Sequence, residues 1–183
     1  MWAHKPRGLR QQKEGSNRQK YITKTVVLHS RFVHIKVKEY YQEIEDKEES
    51  TTMCGQLIMF NSFAYAHILM RHYAPRVKFN RPGKTYHDEN IDLENLPRHV
   101  MFFLDAYEKT LGCAHFNNRS IFFEYKGRNY VIWFAKKSRH QKNQQVQEYL
   151  RVQTFYPAEL LKDAQQIAAF QKIEANPILS FYY

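Results

Sequence analysis

His67, Arg71 and His72 fall within the six-residue run His67-Ile68-Leu69-Met70-Arg71-His72. On a helix turning about 100° per residue, positions 67 and 71 lie about 40° apart, so an imidazole and a guanidinium project together while His72 stands at the edge of that face. A general base beside a fixed cation suits RNA cleavage by internal attack of the 2′-hydroxyl. One group removes the hydroxyl proton and the other stabilises the negatively charged phosphorane. The planar fork of arginine matches phosphate oxygens. A partly buried histidine next to two cations is also pushed toward its neutral, proton-accepting form. The same trio at a helix end has a plainer use, in which the rings only bond the last helix carbonyls.

Two further clusters could support that chemistry. Lys136, Lys137, Arg139, His140 and Lys142 crowd a polar stretch that reads as a loop between strands, with Lys126 and Arg128 at the neighbouring hairpin. Phosphate contacts position a ligand without reading its bases, and a loop is a ready place for them, although a solvated loop has the same composition. Downstream comes Arg151-Val152-Gln153-Thr154-Phe155-Tyr156-Pro157. Strict alternation puts Arg151, Gln153 and Phe155 on one face and Val152 and Thr154 on the other. These polar groups therefore share a site only if the strand twists or bulges. Thr154 and Tyr156 share a face beside the Pro157 break, and a hydroxyl there could donate to a phosphate oxygen or simply reflect strand propensity.

Other chemistries find less support. His67 and His72 are five apart with no intervening metalloprotease glutamate, and His87, Asp88, Glu89 and His115 read as loop residues, so no metal or other cofactor is expected. No glycine-rich phosphate loop occurs. Cys54 and Cys113 are the only cysteines and lack a Cys-x-x-Cys spacing. Neither a disulfide framework nor a thiolate zinc site is expected, which fits a reducing compartment.

These residues need a scaffold, and 183 residues suffice for one domain with a core. The 28 Lys and Arg against 18 Asp and Glu give a charge of +10, which favours a polyanionic partner, although such charge also serves solubility. Aromatic residues make up 15% of the chain, more than disordered segments carry, so the core is aromatic. No apolar run is long enough to span a membrane, and the N-terminus has no secretory pattern.

Residues 1–20 read as a flexible basic arm, and 21–183 as a single α+β domain. Strands are expected at 21–28 and 31–38, joined by a tight turn into an N-terminal hairpin, followed by an acidic stretch at 43–49. A helix of about three turns should end near Tyr73, with Asn61 or Ser62 as its cap and Pro75 barring continuation. A second helix within 92–111 is marked by Leu96, Val100, Phe103, Leu104, Tyr107 and Leu111, with Gly112 as its stop. Segments 120–125 and 129–135 form a hairpin around Lys126 and Gly127, and 149–155 a third strand. A last helix is expected over 158–173 and a terminal strand or docking tail over 177–183. Helices thus pack on an antiparallel sheet of three to five strands.

A helix bearing His-Ile-x-x-Arg-His, a second helix, and three antiparallel strands ending in Val-Gln-Thr-Phe-Tyr-Pro resemble the barnase, EndoU, colicin E5/D and RelE-like (BECR-fold) nucleases, above all their phage-associated branch. The resemblance covers about residues 56–157. It implies a toxin-like, metal-independent endoribonuclease with His67, Arg71, His72 and Thr154 at the catalytic site and a strand cation such as Lys136 nearby. Lys136, Lys137, Arg139, Lys126, Arg128 and Arg151 would bind substrate. An acidic immunity or antitoxin protein would be a partner, with action in the cytoplasm of the producing or a target cell, reached in the second case as a delivered toxin domain. Two alternatives remain open: a non-catalytic nucleic-acid-binding module using the basic arm and exposed aromatics, and an interaction or structural protein such as a phage component or effector.

Overall fold

A computed structural model describes residues 49–72, 85–88, 90–91, 95–140 and 145–183. The basic arm, the expected 21–38 hairpin, the acidic stretch up to Glu48, Pro75, Glu89 and Lys142 lie outside these residues. The chain is an α+β protein. Its elements are β1 (Glu49–Met53), β2 (Gln56–Phe60), α1 (Ser62–His72), α2 (Leu96–Leu111), β3 (Ser120–Tyr125), β4 (Arg128–His140), β5 (Val146–Pro157), α3 (Leu161–Ala168), β6 (Lys172–Asn176) and β7 (Leu179–Tyr182).

The strands form one seven-stranded sheet in the order β1-β2-β5-β4-β3-β7-β6, larger than the three to five strands expected. It is mixed rather than antiparallel throughout, because β2 runs parallel to β5, with Ile58 opposite Leu150. The extra strands come from two hairpins. One, β1–β2, turns at Cys54 and Gly55. The other joins β7, the terminal strand expected within 177–183, to β6, which begins at Lys172 where the last helix was expected to be ending; that helix stops at Ala168 after only eight residues. The turns at Cys54-Gly55 and Lys126-Gly127 have positive φ at both central residues, the geometry that matches strand twist in two-residue hairpins and that glycine adopts without strain.

The expected helices form where their signals lie. The Asn61 side chain accepts the Ala64 N–H at 3.2 Å, capping α1. Gly112, at φ 64°, ends α2 and donates its N–H to the Glu108 carbonyl. α2 covers one sheet face through a cluster of rings: Phe103 lies 4.4 Å from Phe123 and 5.1 Å from Tyr125, and Tyr107 lies 5.3 Å from Phe181. The other face carries a smaller cluster of Phe122, Val131, Tyr156 and Ala158, with Ile167 of α3 against it.

Cys54 and Cys113 are joined in a disulfide, contrary to the expectation from their spacing. They are 59 residues apart, and they meet only because the β1–β2 turn docks beside the end of α2, where Glu108 accepts the Cys54 backbone N–H at 2.9 Å.

The basic stretch after Ala135 also departs from expectation. Lys136, Lys137, Arg139 and His140 are not in a loop but in the outer half of β4, paired with β5 from Lys136↔Leu150 to His140↔Val146. β3 ends at its pairing with Trp133 and β2 pairs β5 at Leu150 and Arg151, so from Lys137↔Tyr149 outward β4 and β5 continue as a two-stranded ribbon.

The ring cluster under α2 sets the stability of the sheet. Phe103→Ala should lower unfolding free energy by about 3–5 kcal/mol in urea titrations. Phe102→Ala, whose side chain is 46% exposed, should cost about 1 kcal/mol or less. Equal losses would show that α2 is not seated through Phe103.

Candidate functional site

The site forms where the C-terminal end of α1 meets the end of β5. Ala64, Ile68 and His72 recur at four-residue steps, and Ala64 and Ile68 are fully buried, so the stripe that seats the helix also carries the His72 ring onto the sheet. There His72 Nε2 lies 3.2 Å from Thr154 Oγ1, and the ring stacks on Tyr156 at 4.8 Å.

Both contacts depend on an irregularity in β5. Trp133 pairs with Thr154 and Phe134 with Val152, which leaves Gln153 as an extra residue, a β-bulge. Before the bulge Leu150 and Val152 face the α2 side. After it Phe155 takes that side, while Thr154 and Tyr156 turn to the other. Arg151, opposite in parity to Leu150 and Val152, therefore shares a face with Thr154, which strict alternation forbids. Its guanidinium caps the Phe63 ring of α1 at 3.9 Å and donates to Gln153 Oε1 at 2.9 Å.

Residues 85–88 close the site from the third side. His72 Nδ1 is 3.0 Å from the Thr85 carbonyl, and a carbonyl only accepts, so Nδ1 carries a proton. In the neutral ring the lone pair is then on Nε2, directed at the Thr154 hydroxyl. The His87 N–H meets the His72 carbonyl at 3.0 Å, satisfying one of the open acceptors at the helix end, and Thr85 Oγ1 donates to the Pro157 carbonyl at 2.7 Å. His87 Nε2 likewise donates to the Phe155 carbonyl at 2.9 Å, and its ring lies 6.3 Å from His72.

Burial pushes the His87 pKa down to about 3. The Phe155 hydrogen bond opposes that shift, and electrostatic interaction with the His72 ring and the Arg128 guanidinium adds to it. Arg128 anchors the segment, with its guanidinium 2.7 Å from Asp88 Oδ2 and 2.7 Å from Glu159 Oε1 and a further bond to the Tyr86 carbonyl. Burial works against the charge of Asp88, but the Arg128 contacts hold its carboxyl below the usual range. Tyr156 is raised to about 12 by burial and by Asp163. It stays protonated, accepting from the Trp133 indole at 3.1 Å and donating to Asp163 at 3.4 Å.

Of the residues singled out from sequence, His72 and Thr154 meet directly. His67, about 140° from His72 on the helix, stacks instead with Phe63 at 5.8 Å, on the ring that Arg151 caps. Arg71 is exposed beside His72. Arg128 is held between two carboxylates, and Lys126 is exposed at the hairpin tip. Lys136 shares the face of Phe134, opposite to Thr154. The neighbouring cation with the parity of the Thr154 face is Lys137. His87 was missed as a partner, because His87-Asp88 offers only loop signals until it folds against β5. Among the described residues the one cluster of three metal-ligand types is Cys54, Glu108 and Cys113, at the far end of α2, and its two sulfurs are in the disulfide. No helix among the described residues is long and apolar enough to cross a membrane.

The depressed His87 value has a consequence for stability. The unfolded ring titrates near 6.5 and the folded one near 3, so the folded chain binds fewer protons between those values. The contribution of the neutral ring is complete above about pH 6.5 and is lost as pH falls toward 3. In urea titrations, wild type should lose about 2 kcal/mol more than His87→Gln between pH 7 and pH 5. Parallel pH dependences would mean that His87 is solvated. Comparisons with protein-family models, curated proteins and solved structures give no match to this chain.

Proposed function

We propose that this protein is an endoribonuclease that cleaves RNA by internal 2′-hydroxyl attack, without need of a metal ion. The observation that carries this reading is the His72–Thr154 pair at 3.2 Å, with the His72 tautomer set by the Thr85 carbonyl so that the Nε2 lone pair is on the Thr154 side. In this scheme His72 Nε2 takes the 2′-hydroxyl proton as O2′ attacks phosphorus. The P–O5′ bond breaks, the departing O5′ takes a proton from solvent water, and a 2′,3′-cyclic phosphate and a 5′-hydroxyl remain, with His72 returning its proton to solvent. Thr154 orients a phosphate oxygen. Arg71 and Arg151 supply positive charge to the phosphorane, a task for which guanidinium geometry is suited. Compared with the expectation from sequence, the proton-transfer role moves from His67 to His72, and the strand cation from Lys136 to Arg151 or Lys137.

The resemblance to BECR-fold nuclease toxins supports the same reading, since it too combines a helix His and Arg with a hydroxyl from a late strand. A +10 chain with this activity would endanger its producer, so an acidic immunity or antitoxin protein is proposed as its partner. A non-catalytic nucleic-acid-binding module is the second reading, favoured by the exposed cations of the β4–β5 ribbon.

The test is cleavage of labelled RNA with chelator present and with end-group analysis. Wild type should leave 2′,3′-cyclic phosphates, His72→Ala should lower the rate about 10²–10⁴-fold, and Thr154→Val should lower it less. His67→Ala should retain most activity. Equal cleavage of 2′-deoxy substrate, or full activity in His72→Ala, would remove the mechanism. Intact RNA with the wild type would leave only binding.

A further inference from the structure

We infer that one face of the projecting β4–β5 ribbon is a track for single-stranded RNA, with Tyr149 as a base-stacking platform, leading to the His72–Thr154 pair. The inference rests on the ribonuclease reading for the identity of the nucleic acid, and on strand register for the choice of face.

Alternation divides the ribbon into two unlike sides. Lys137 and Arg139 of β4 have the parity of Tyr149 and Arg151 of β5, since Lys137 pairs with Tyr149 and Ala135 with Arg151. Arg151 in turn lies on the Thr154 side, so this face runs continuously into the candidate site. The reverse face carries Lys136, His140 and Glu148, with Glu148 opposite Ser138. The ribbon's only carboxylate among the described residues is thus on the side away from the site, while the near side carries Lys137, Arg139 and Arg151 beside the uncharged Gln147 and Tyr149. Lys137 and Arg151 have no ion pair with a described carboxylate, whereas Arg128 is engaged by Asp88 and Glu159. Cations left unneutralised on one face are what a phosphate backbone needs.

The aromatic component selects the form of RNA. Arg139 lies 6.0 Å from the Tyr149 ring, held by a bond from its Nε to Gln147 Oε1 at 3.0 Å. Arg151, by contrast, is closed on Phe63 at 3.9 Å. Tyr149 is half-buried rather than enclosed, so its ring and the Arg139 guanidinium stand side by side on the ribbon surface. Only an unpaired base exposes its ring to such a platform, because in a duplex the faces are already stacked.

The experiment is fluorescence anisotropy of a short single-stranded RNA, with each variant made in His72→Ala so that the RNA stays intact. Lys137→Ala and Tyr149→Ala should each weaken binding about tenfold. Tyr149→Phe should bind as the parent does, which separates stacking from loss of fold. Lys136→Ala should stay within about twofold of the parent, and Lys137→Ala should reduce the salt slope by about 0.7. A duplex of the same length should bind more weakly. The inference is overturned by equal losses in Lys136→Ala and Lys137→Ala, by a neutral Tyr149→Ala, or by a duplex that binds as well. Polyglutamate binding with the same dependence on Tyr149 would overturn it by assigning the face to an acidic protein. Cleavage by wild type without these face-specific losses removes this inference alone. Face-specific binding without cleavage removes the ribonuclease reading and leaves the track.

Discussion

Leu150, Val152 and Phe155 must all reach the ring cluster beneath α2, yet their spacing breaks the two-residue period of a strand. A regular β5 that buried Leu150 and Val152 would also drive Thr154 into the aromatic core and leave Phe155 outside. The extra residue at Gln153 resolves that conflict, and the apolar demand of Phe155 supplies the driving force. As a result Arg151, Thr154 and Tyr156 emerge together on the face that α1 meets. The candidate site is thus a by-product of core packing.

The histidines show how different surroundings give two identical side chains different properties. His72 is half-buried, with one ring nitrogen bound to a carbonyl and the other directed at a hydroxyl. His87 is enclosed against Phe155 and held neutral by burial. Its neutrality leaves His72 without a second cation a ring's distance away, while the Arg128 contacts to Asp88, Glu159 and Tyr86 keep residues 85–88 in place. Most of the charge in this region is therefore structural.

Positive charge is distributed by a similar logic. At the β3–β4 hairpin, Arg128 is compensated by two carboxylates. Farther along the same strand, Lys137 and Arg139 stand on the ribbon face opposite to Glu148, the one carboxylate among the described residues of the ribbon. Net charge describes neither environment. Strand parity and cross-strand neighbours decide which cations face a polyanion and which hold the fold together.

Local signals in the sequence determined the elements whose physics is local. Asn61 as a cap, the α2 periodicity ending at Gly112, and the Lys126-Gly127 turn follow from interactions within a few residues, and so they were legible. The α+β class and the pairing of β3 with β4 follow from them. Tertiary structure decided what depends on distant partners: the parallel β2–β5 contact, the Cys54–Cys113 disulfide, the pairing of the terminal strand β7 with β3 and β6, and the ribbon in place of a basic loop. For the site, the sequence named His72 and Thr154 but could not choose between His72 and His67. That choice depends on which helix stripe is buried, and on a bulge 81 positions beyond His72 that turns Thr154 toward it.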